Sequence, residues 1–325
     1  MYLSVVTTLY NSANYILEFY ERISKTASAL TQNYEIIFVS DGTPDESLAI
    51  ACELHKNDSK VKVIELSRNF GHQKAMATGL QYAKGDYVFL IDVDLEERPE
   101  LLATFWQEMN QNKEIDVVYG VQLKRKGGWV ERTGGKIFYQ LIRKLSEDII
   151  TTKDTSTVRL MKRDYVQSLI QFQEQNYYFG LIANLVGFNQ KAFPFKKGNR
   201  RLSTYSLFKR YHIFINAAIS CSDKLLYIIF YIGCCLTAIS FLYMLYLIFK
   251  KLFFNIALPG WTTLIVLITL LGGMNLFFMG ILSIYILHIL RETKRRPFSI
   301  IRRVYDSNSV CYDKRKITVN DELIY

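Results

Sequence analysis

Over residues 1–205, short apolar runs alternate with stretches in which apolar residues return at helical spacing. The runs Leu3–Thr8, Glu35–Ser40, Val61–Leu66 and Tyr87–Asp92 are rich in Val, Ile and Phe and read as strands. Between them, Ala13–Ala29, Pro44–Lys56 and His72–Lys84 repeat apolar residues every three or four positions and read as helices. Such alternation predicts an α/β fold with a doubly wound, mostly parallel sheet. Ligands of such sheets bind at the carboxyl ends of the strands. After Asp116 the pattern is less regular. It gives a strand at Asp116–Gln122, a basic glycine loop at Lys124–Gly128, an amphipathic helix near Ile137–Leu145, a strand over Ser156–Met161 and a helix in the aromatic run Tyr177–Phe188. No internal repeat or low-complexity linker is present.

At Leu225 the pattern changes. Leu225–Phe249 carries no charge, and Thr262–Leu290 carries only His288. About 20 apolar residues cross a bilayer, so each segment is long enough to span one. Pro259-Gly260 between them signals a turn, which makes residues 225–290 a two-helix transmembrane hairpin. The chain thus divides into a soluble domain over 1–205, an amphipathic juxtamembrane segment over 206–224, the hairpin, and a basic tail over 291–325. Lys209, Arg210 and Lys224 precede the first span; Arg291, Lys294, Arg295, Arg296, Arg302 and Arg303 follow the second; only Lys250 and Lys251 lie between. The positive-inside rule then predicts a multi-pass protein of the plasma (inner) membrane with both termini and the soluble domain cytoplasmic. With no basic stretch ahead of the first apolar run, no cleavable signal peptide is expected.

Charge narrows the partners. The formal net charge of +10 suits nucleic acid, anionic lipid or a phosphorylated substrate. The cations cluster beside the spans, which favours membrane lipids and lipid phosphates. No nucleic-acid motif of recognisable spacing occurs, so no nucleic-acid partner is expected. The five cysteines (Cys52, Cys221, Cys234, Cys235, Cys311) contain no C-x-x-C pair, so neither a zinc site nor a disulfide framework is indicated.

Four stretches carry candidate chemistry. In Val88-Phe89-Leu90-Ile91-Asp92-Val93-Asp94 a buried strand runs into two carboxylates two residues apart, on one side if the extended conformation persists. Paired carboxylates suit Mg²⁺ or Mn²⁺, which can bridge two phosphates of a nucleoside diphosphate. In Ser40-Asp41-Gly42-Thr43-Pro44-Asp45-Glu46, Thr43, Pro44 and Glu46 read as an N-cap, first helical residue and capping box. Asp41 precedes that cap and can accept hydrogen bonds from a base or ribose. In Ser67-Arg68-Asn69-Phe70-Gly71-His72-Gln73-Lys74, Arg68 and Lys74 either offset phosphate charge or are solvated cations, and His72 reads as an ordinary helix-start residue. Lys124-Arg125-Lys126-Gly127-Gly128 is a basic flexible loop.

In this order, and followed by two apolar segments, these stretches resemble the family 2 glycosyltransferases, in particular the polyprenyl- and dolichyl-phosphate sugar transferases. Tyr10-Asn11, Arg68-Asn69-Phe70-Gly71-His72 and Asp92-x-Asp94 match that pattern. Gly120 and Arg125 fit its Gly-x-x-x-x-Arg element, and Ser203-Thr204-Tyr205 and Glu292–Pro297 are similar to its later motifs. Ser40 replaces an Asp, Thr8 stands where Pro is common, and Thr157 stands where relatives carry an acidic residue. The resemblance implies a GT-A fold and transfer of a hexose-type sugar from a UDP- or GDP-sugar to polyprenyl phosphate or another lipid-linked acceptor, as in cell-envelope polysaccharide synthesis. By the same resemblance Tyr10, Asn11, Asp41, Arg68, Lys74 and Asp92 bind the nucleotide sugar. Asp92, Asp94 and Glu96 hold Mg²⁺ or Mn²⁺, and Lys124 with Arg125 grips the acceptor phosphate. Asp92, Asp94 and Arg125 carry the chemistry. Homo-oligomerisation stays open. The alternatives are a transferase that extends a lipid-linked oligosaccharide or surface polysaccharide, and a non-catalytic nucleotide-sugar-binding membrane protein, against which the Asp92/Asp94 pair argues; a processive synthase is disfavoured because no Gln-x-x-Arg-Trp element occurs and only two spans follow.

Overall fold

The computed structural model describes residues 1–122, 155–175, 177–196 and 260–306, with residues 231, 235, 242, 246, 249 and 253. The basic loop with Lys124 and Arg125, the expected helix at 137–145, the stretch 203–205 and most of the first apolar segment lie outside the described residues.

Eight strands are present among the described residues: β1 (Leu3–Leu9), β2 (Tyr34–Ser40), β3 (Val61–Leu66), β4 (Tyr87–Leu90), β5 (Val117–Gln122), β6 (Thr155–Lys162), β7 (Gln190–Phe195) and β8 (Ile301–Tyr305). They form one sheet in the order β7-β5-β6-β4-β1-β2-β3-β8. β1 pairs in parallel with β2 and with β4, and β2 with β3. β6 runs antiparallel between β4 and β5. The expected mostly parallel α/β sheet is therefore what the chain forms.

Both faces are covered, which explains why the strands are almost continuously apolar. Alternate residues supply two cores. Leu3, Val5, Ile36, Phe38 and Phe89 face α1 (Ile16–Leu30), α2 (Ser47–Asn57) and α4 (Leu101–Gln111). Val6, Ile37, Val39, Ile64 and Leu90 face α3 (His72–Tyr82), α5 (Arg163–Leu169) and α6 (Phe179–Leu185). In α1 the buried Ile16, Phe19, Ile23 and Ala27 recur at helical period. Burying each large side chain of that stripe contributes about 1.5–3 kcal/mol. α3 lies tight on the sheet because Gly79 has no side chain: a Cβ there would stand 2.5 Å from Val6 Cγ1.

Three local expectations are corrected. First, α2 begins at Ser47, not Pro44, and Glu46 makes no side-chain cap bond. Asp45 organises the turn instead, its Oδ1 accepting from Thr43 Oγ1 and the Ser47 N–H. Second, the extended chain of β4 ends at Leu90, and Val93-Asp94 lies in a turn, so strand period does not set the relation of Asp92 to Asp94. Third, residues 301–305, read as part of a basic tail, form β8. It pairs antiparallel with β3, and Arg302 Nη1 sits 3.4 Å from Glu65 Oε1. Two arginines in a five-residue strand hid it from a pattern reading. Charge on an edge strand is ordinary, because it discourages further strand addition.

The residues before β8 continue into the same domain. The Ser67 N–H donates to Ile300 O (2.9 Å), the Thr78 and Ser299 hydroxyls are bonded (2.8 Å), and the Phe298 ring meets Tyr177 edge to face.

The remaining described helix, α7 (Trp261–Thr293), belongs to a separate unit. Its stretch Leu271–Thr293 has a mean hydropathy of 1.8 and no share buried, and is long and apolar enough to cross a membrane. Tyr231, Cys235, Leu242, Tyr246, Phe249 and Phe253 are helical and exposed.

Candidate active site at the carboxyl ends of the strands

The carboxyl ends of β1, β2, β3 and β4 carry the loops that the sequence singled out. After β1, Tyr10 is half exposed and Asn11 has φ +51. This turn is clasped to the one after β2: the Asn11 N–H donates to Thr43 Oγ1 (2.9 Å), Ser12 N–H to Ser47 Oγ (3.0 Å) and Ala13 N–H to Asp45 Oδ2 (3.0 Å). Tyr10 thus presents an aromatic face on a fixed turn.

Asp41 ends β2 and is buried. Its Oδ1 accepts the Phe70 N–H (2.7 Å) and its Oδ2 the Gly71 N–H (3.0 Å). Burial pushes its pKa up; the two amides and the nearby His72 pull against this, and the net shift is upward. Asp41 therefore fixes the loop after β3 that carries Arg68. Gly42 lets the two loops approach. It has φ +59, and a Cβ there would lie 2.5 Å from Arg68 C and Asn69 N. Arg68 is exposed, with its guanidinium over the Phe70 ring at 4.4 Å.

Gly71, at φ +97, turns the chain into α3. His72, read from sequence as an ordinary helix-start residue, ties the start of α3 to the end of β1 and to the loop after β4. Its Nε2 lies 3.3 Å from Asp92 Oδ1, and its Nδ1 2.9 Å from Thr8 Oγ1. Desolvation would lower its pKa, but the bond to Asp92 and the charges of Asp92, Asp41 and Asp94 outweigh it, and the net shift is upward. Thr8, flagged only as a departure from a common Pro, supplies the hydroxyl that fixes the ring. Two residues on, Lys74 lies with Nζ 3.4 Å from Gln175 Oε1 and 5.2 Å from the Phe298 ring centroid.

The acidic run follows β4. Asp92, Asp94 and Glu96 are partly exposed, whereas Glu97 is fully buried. Asp94 Oδ1 accepts the Glu96 N–H at 3.1 Å. Between them Leu95 has φ +58, a conformation that costs a non-glycine residue about 1–3 kcal/mol and persists only where the surroundings enforce it. Glu97 accepts a hydrogen bond from Ser156 Oγ on β6 and lies within electrostatic reach of Arg159. Arg159 is itself buried, directs Nε at Thr157 O (3.3 Å) and Nη2 at Ser156 O (3.4 Å), and stacks on Phe179. Sequence reasoning passed over Glu97 and placed Ser156 and Arg159 on a strand without giving either a role in the site. The four carboxylates within Asp92–Glu97 were visible, but nothing in their spacing shows which of them is buried.

The oxygen donors of Asp92 and Asp94 fit Mg²⁺ or Mn²⁺. Among the described residues no group of three His, Cys, Asp or Glu side chains is gathered into a cage. The three expected metal ligands, Asp92, Asp94 and Glu96, are thus not gathered as one set; the two aspartates remain the pair that fits an ion whose shell substrate phosphates and water complete. Asp41, Arg68, His72, Asp92 and Asp94 are thus brought to one rim with Tyr10. Lys124 and Arg125 lie outside the described residues.

Comparison with known proteins gives a consistent result. Residues 4–170 match the profile of glycosyl transferase family 2. A glycosyltransferase-named protein of Mycobacterium tuberculosis is 43% identical, covering 95% of this chain and 90% of its own length. The uncharacterized glycosyltransferase YkcC of Bacillus subtilis is 34% identical over 93% of this chain and 94% of its own. The prophage-derived bactoprenol glucosyl transferase of Shigella flexneri is 30% identical over 95% of this chain and 100% of its own. With a profile match spanning half the chain and relatives aligned nearly end to end, this protein belongs to glycosyltransferase family 2 and is a glycosyltransferase.

Proposed function

We propose that this chain transfers a hexose from a nucleoside-diphosphate sugar to polyprenyl phosphate at the cytoplasmic face of a membrane. The observation that carries the reading is the position of the apolar segment in the chain, between two strands of one sheet. The chain leaves the sheet after β7 and re-enters it at β8, with α7 between. A segment whose two ends lie in one sheet crosses a bilayer an even number of times. At about 1.5 Å per residue, the 33 residues of α7 cover a bilayer core. The stretch 225–249 is uncharged and long enough by composition to supply the second crossing. The Shigella flexneri relative, named for transfer involving bactoprenol and aligned over 95% of this chain, supports a lipid acceptor.

In this reading Tyr10 stacks on the base, beside Asn11, and Asp41 holds the loop from which Arg68 reaches the nucleotide. Lys74 offsets diphosphate charge. Asp92 and Asp94 hold Mg²⁺ or Mn²⁺, with His72 and Thr8 fixing the orientation of Asp92. When bound, the metal neutralises charge developing on the leaving diphosphate. An acceptor phosphate oxygen forms the new bond to the anomeric carbon as the bond to the nucleoside diphosphate breaks. That oxygen is already anionic, so no strong general base is needed. Lys124 and Arg125 hold the acceptor phosphate for attack, a contribution of positioning and electrostatics. Thr157 gives weight to a second reading, extension of a lipid-linked glycan, whose hydroxyl acceptor needs a base.

Product chemistry separates the two. Membranes containing the chain are incubated with radiolabelled UDP- and GDP-sugars and polyprenyl phosphate. A labelled lipid that releases free monosaccharide in mild acid is expected. Label released only as part of a larger glycan would reject the lipid-phosphate acceptor.

A further inference from the structure

Of the four carboxylates in the acidic run, three face partly exposed surroundings and one does not. Glu97 is fully buried three residues beyond Asp94, with the left-handed Leu95 between them. Its partners lie on β6. Ser156 Oγ donates to it, and Arg159, opposite Leu90 in the β4–β6 ladder, supplies the neighbouring positive charge. Arg159 is fixed in turn: its guanidinium meets the carbonyls of Ser156 and Thr157, lies 4.5 Å from the Phe179 ring centroid and adjoins Tyr165, whose hydroxyl donates to Ala183 O at 2.8 Å. The counter-charge is thus wired to β6, α5 and α6. A charge buried in this way is costly without its partner, so the loop closes in one register.

We infer that Glu97, with Ser156 and Arg159, is a positioning anchor that holds the Asp92–Asp94 loop in its left-handed turn. Glu97 itself touches neither substrate nor metal. The inference rests on the proposed role of Asp92 and Asp94 in donor binding, and it is tested by two readouts, one independent of that role.

The full chain in detergent is compared with Glu97→Gln, the milder Ser156→Ala and the charge-conserving Arg159→Lys. Amide hydrogen exchange over residues 92–97, without metal or nucleotide, is expected to rise at least tenfold in Glu97→Gln and about threefold in Ser156→Ala, with α1 unchanged. Mn²⁺ affinity in the presence of UDP, followed by the spectrum of free Mn²⁺, is expected to weaken about tenfold in Glu97→Gln. Donor KM is expected to rise while acceptor KM stays, and Arg159→Lys to retain most of the loop protection. Should Glu97→Gln fail to fold, Ser156→Ala carries the same two readouts. Unchanged exchange in the 92–97 loop, or protection lost equally across the sheet, overturns the anchor. If Asp94→Asn leaves Mn²⁺–UDP affinity at the wild-type value, the metal role fails instead, and the exchange result still decides the anchor.

Discussion

Asp41→Asn is a sharp test of how the donor loop is built. The wild-type carboxylate receives the Phe70 N–H at 2.7 Å and the Gly71 N–H at 3.0 Å while buried. Asn keeps one acceptor oxygen and turns an N–H₂ toward the other amide, leaving two donors face to face. A hydrogen bond to a charged group contributes about 1.5–3 kcal/mol, and an orphaned buried donor costs a similar amount. The loop after β3 should therefore open more easily by roughly 2–3 kcal/mol, a large fraction of a domain stability of about 5–15 kcal/mol. Arg68 makes that opening measurable, since it is exposed and lies two residues from Phe70. Where opening is fast, cleavage tracks the open population, and each 1.4 kcal/mol is tenfold. Trypsin should cut after Arg68 about thirty- to a hundredfold faster in Asp41→Asn, with donor KM rising in parallel. If cleavage and melting temperature match wild type while donor binding falls, Asp41 acts directly on the nucleotide and the loop reasoning is refuted.

Three further outcomes follow from the same geometry. Gly42→Ala puts a methyl group 2.5 Å from the Arg68–Asn69 backbone at φ +59, so it should cost about 2 kcal/mol or more, read as a lower melting temperature and a raised donor KM. Phe298→Ala removes the ring over which Lys74 sits and which meets Tyr177; it should cost about 1–3 kcal/mol and raise donor KM several-fold, and an unchanged donor KM would separate the post-helix segment from the site. Burial would raise the pKa of Glu35, but the Lys62 ammonium at 2.7 Å, Ser4 and the Lys84 amide outweigh it and hold it low. Its stabilisation is thus present above the unfolded carboxyl pKa of about 4.3 and lost as pH falls through the lower folded value. Melting temperature should drop below about pH 4 in wild type, and Glu35→Gln should flatten that limb.

Much of this was legible in the sequence because buried parallel strands leave a strong signature. β1, β2, β3 and α3 fall where the apolar runs and helical spacing put them, and Asp92 and Asp94 follow β4 as read, though in a turn beyond its extended chain. Contacts between distant segments were not legible. The role of His72 depends on Thr8 and Asp92, brought together only when β1 and β4 pair. Glu97 drew no notice because its partner lies on β6, across a long separation in sequence. Nothing local to Asp41 reveals that its oxygens meet Phe70 and Gly71. β8 was missed because its arginines suit a membrane-flanking stretch as well as an edge strand.

The central claim is that the loop after β4, with Asp92 and Asp94, receives the diphosphate of the donor together with a divalent ion. Calorimetric titration of the purified full chain with UDP and with GDP, each with Mn²⁺ and with excess chelator, tests it most directly. One nucleotide should bind with a metal-dependent affinity that falls at least about a hundredfold in Asp94→Asn, the scale of a lost major electrostatic contact. Binding of equal strength in chelator, unchanged by Asp92→Asn and Asp94→Asn, would contradict the account.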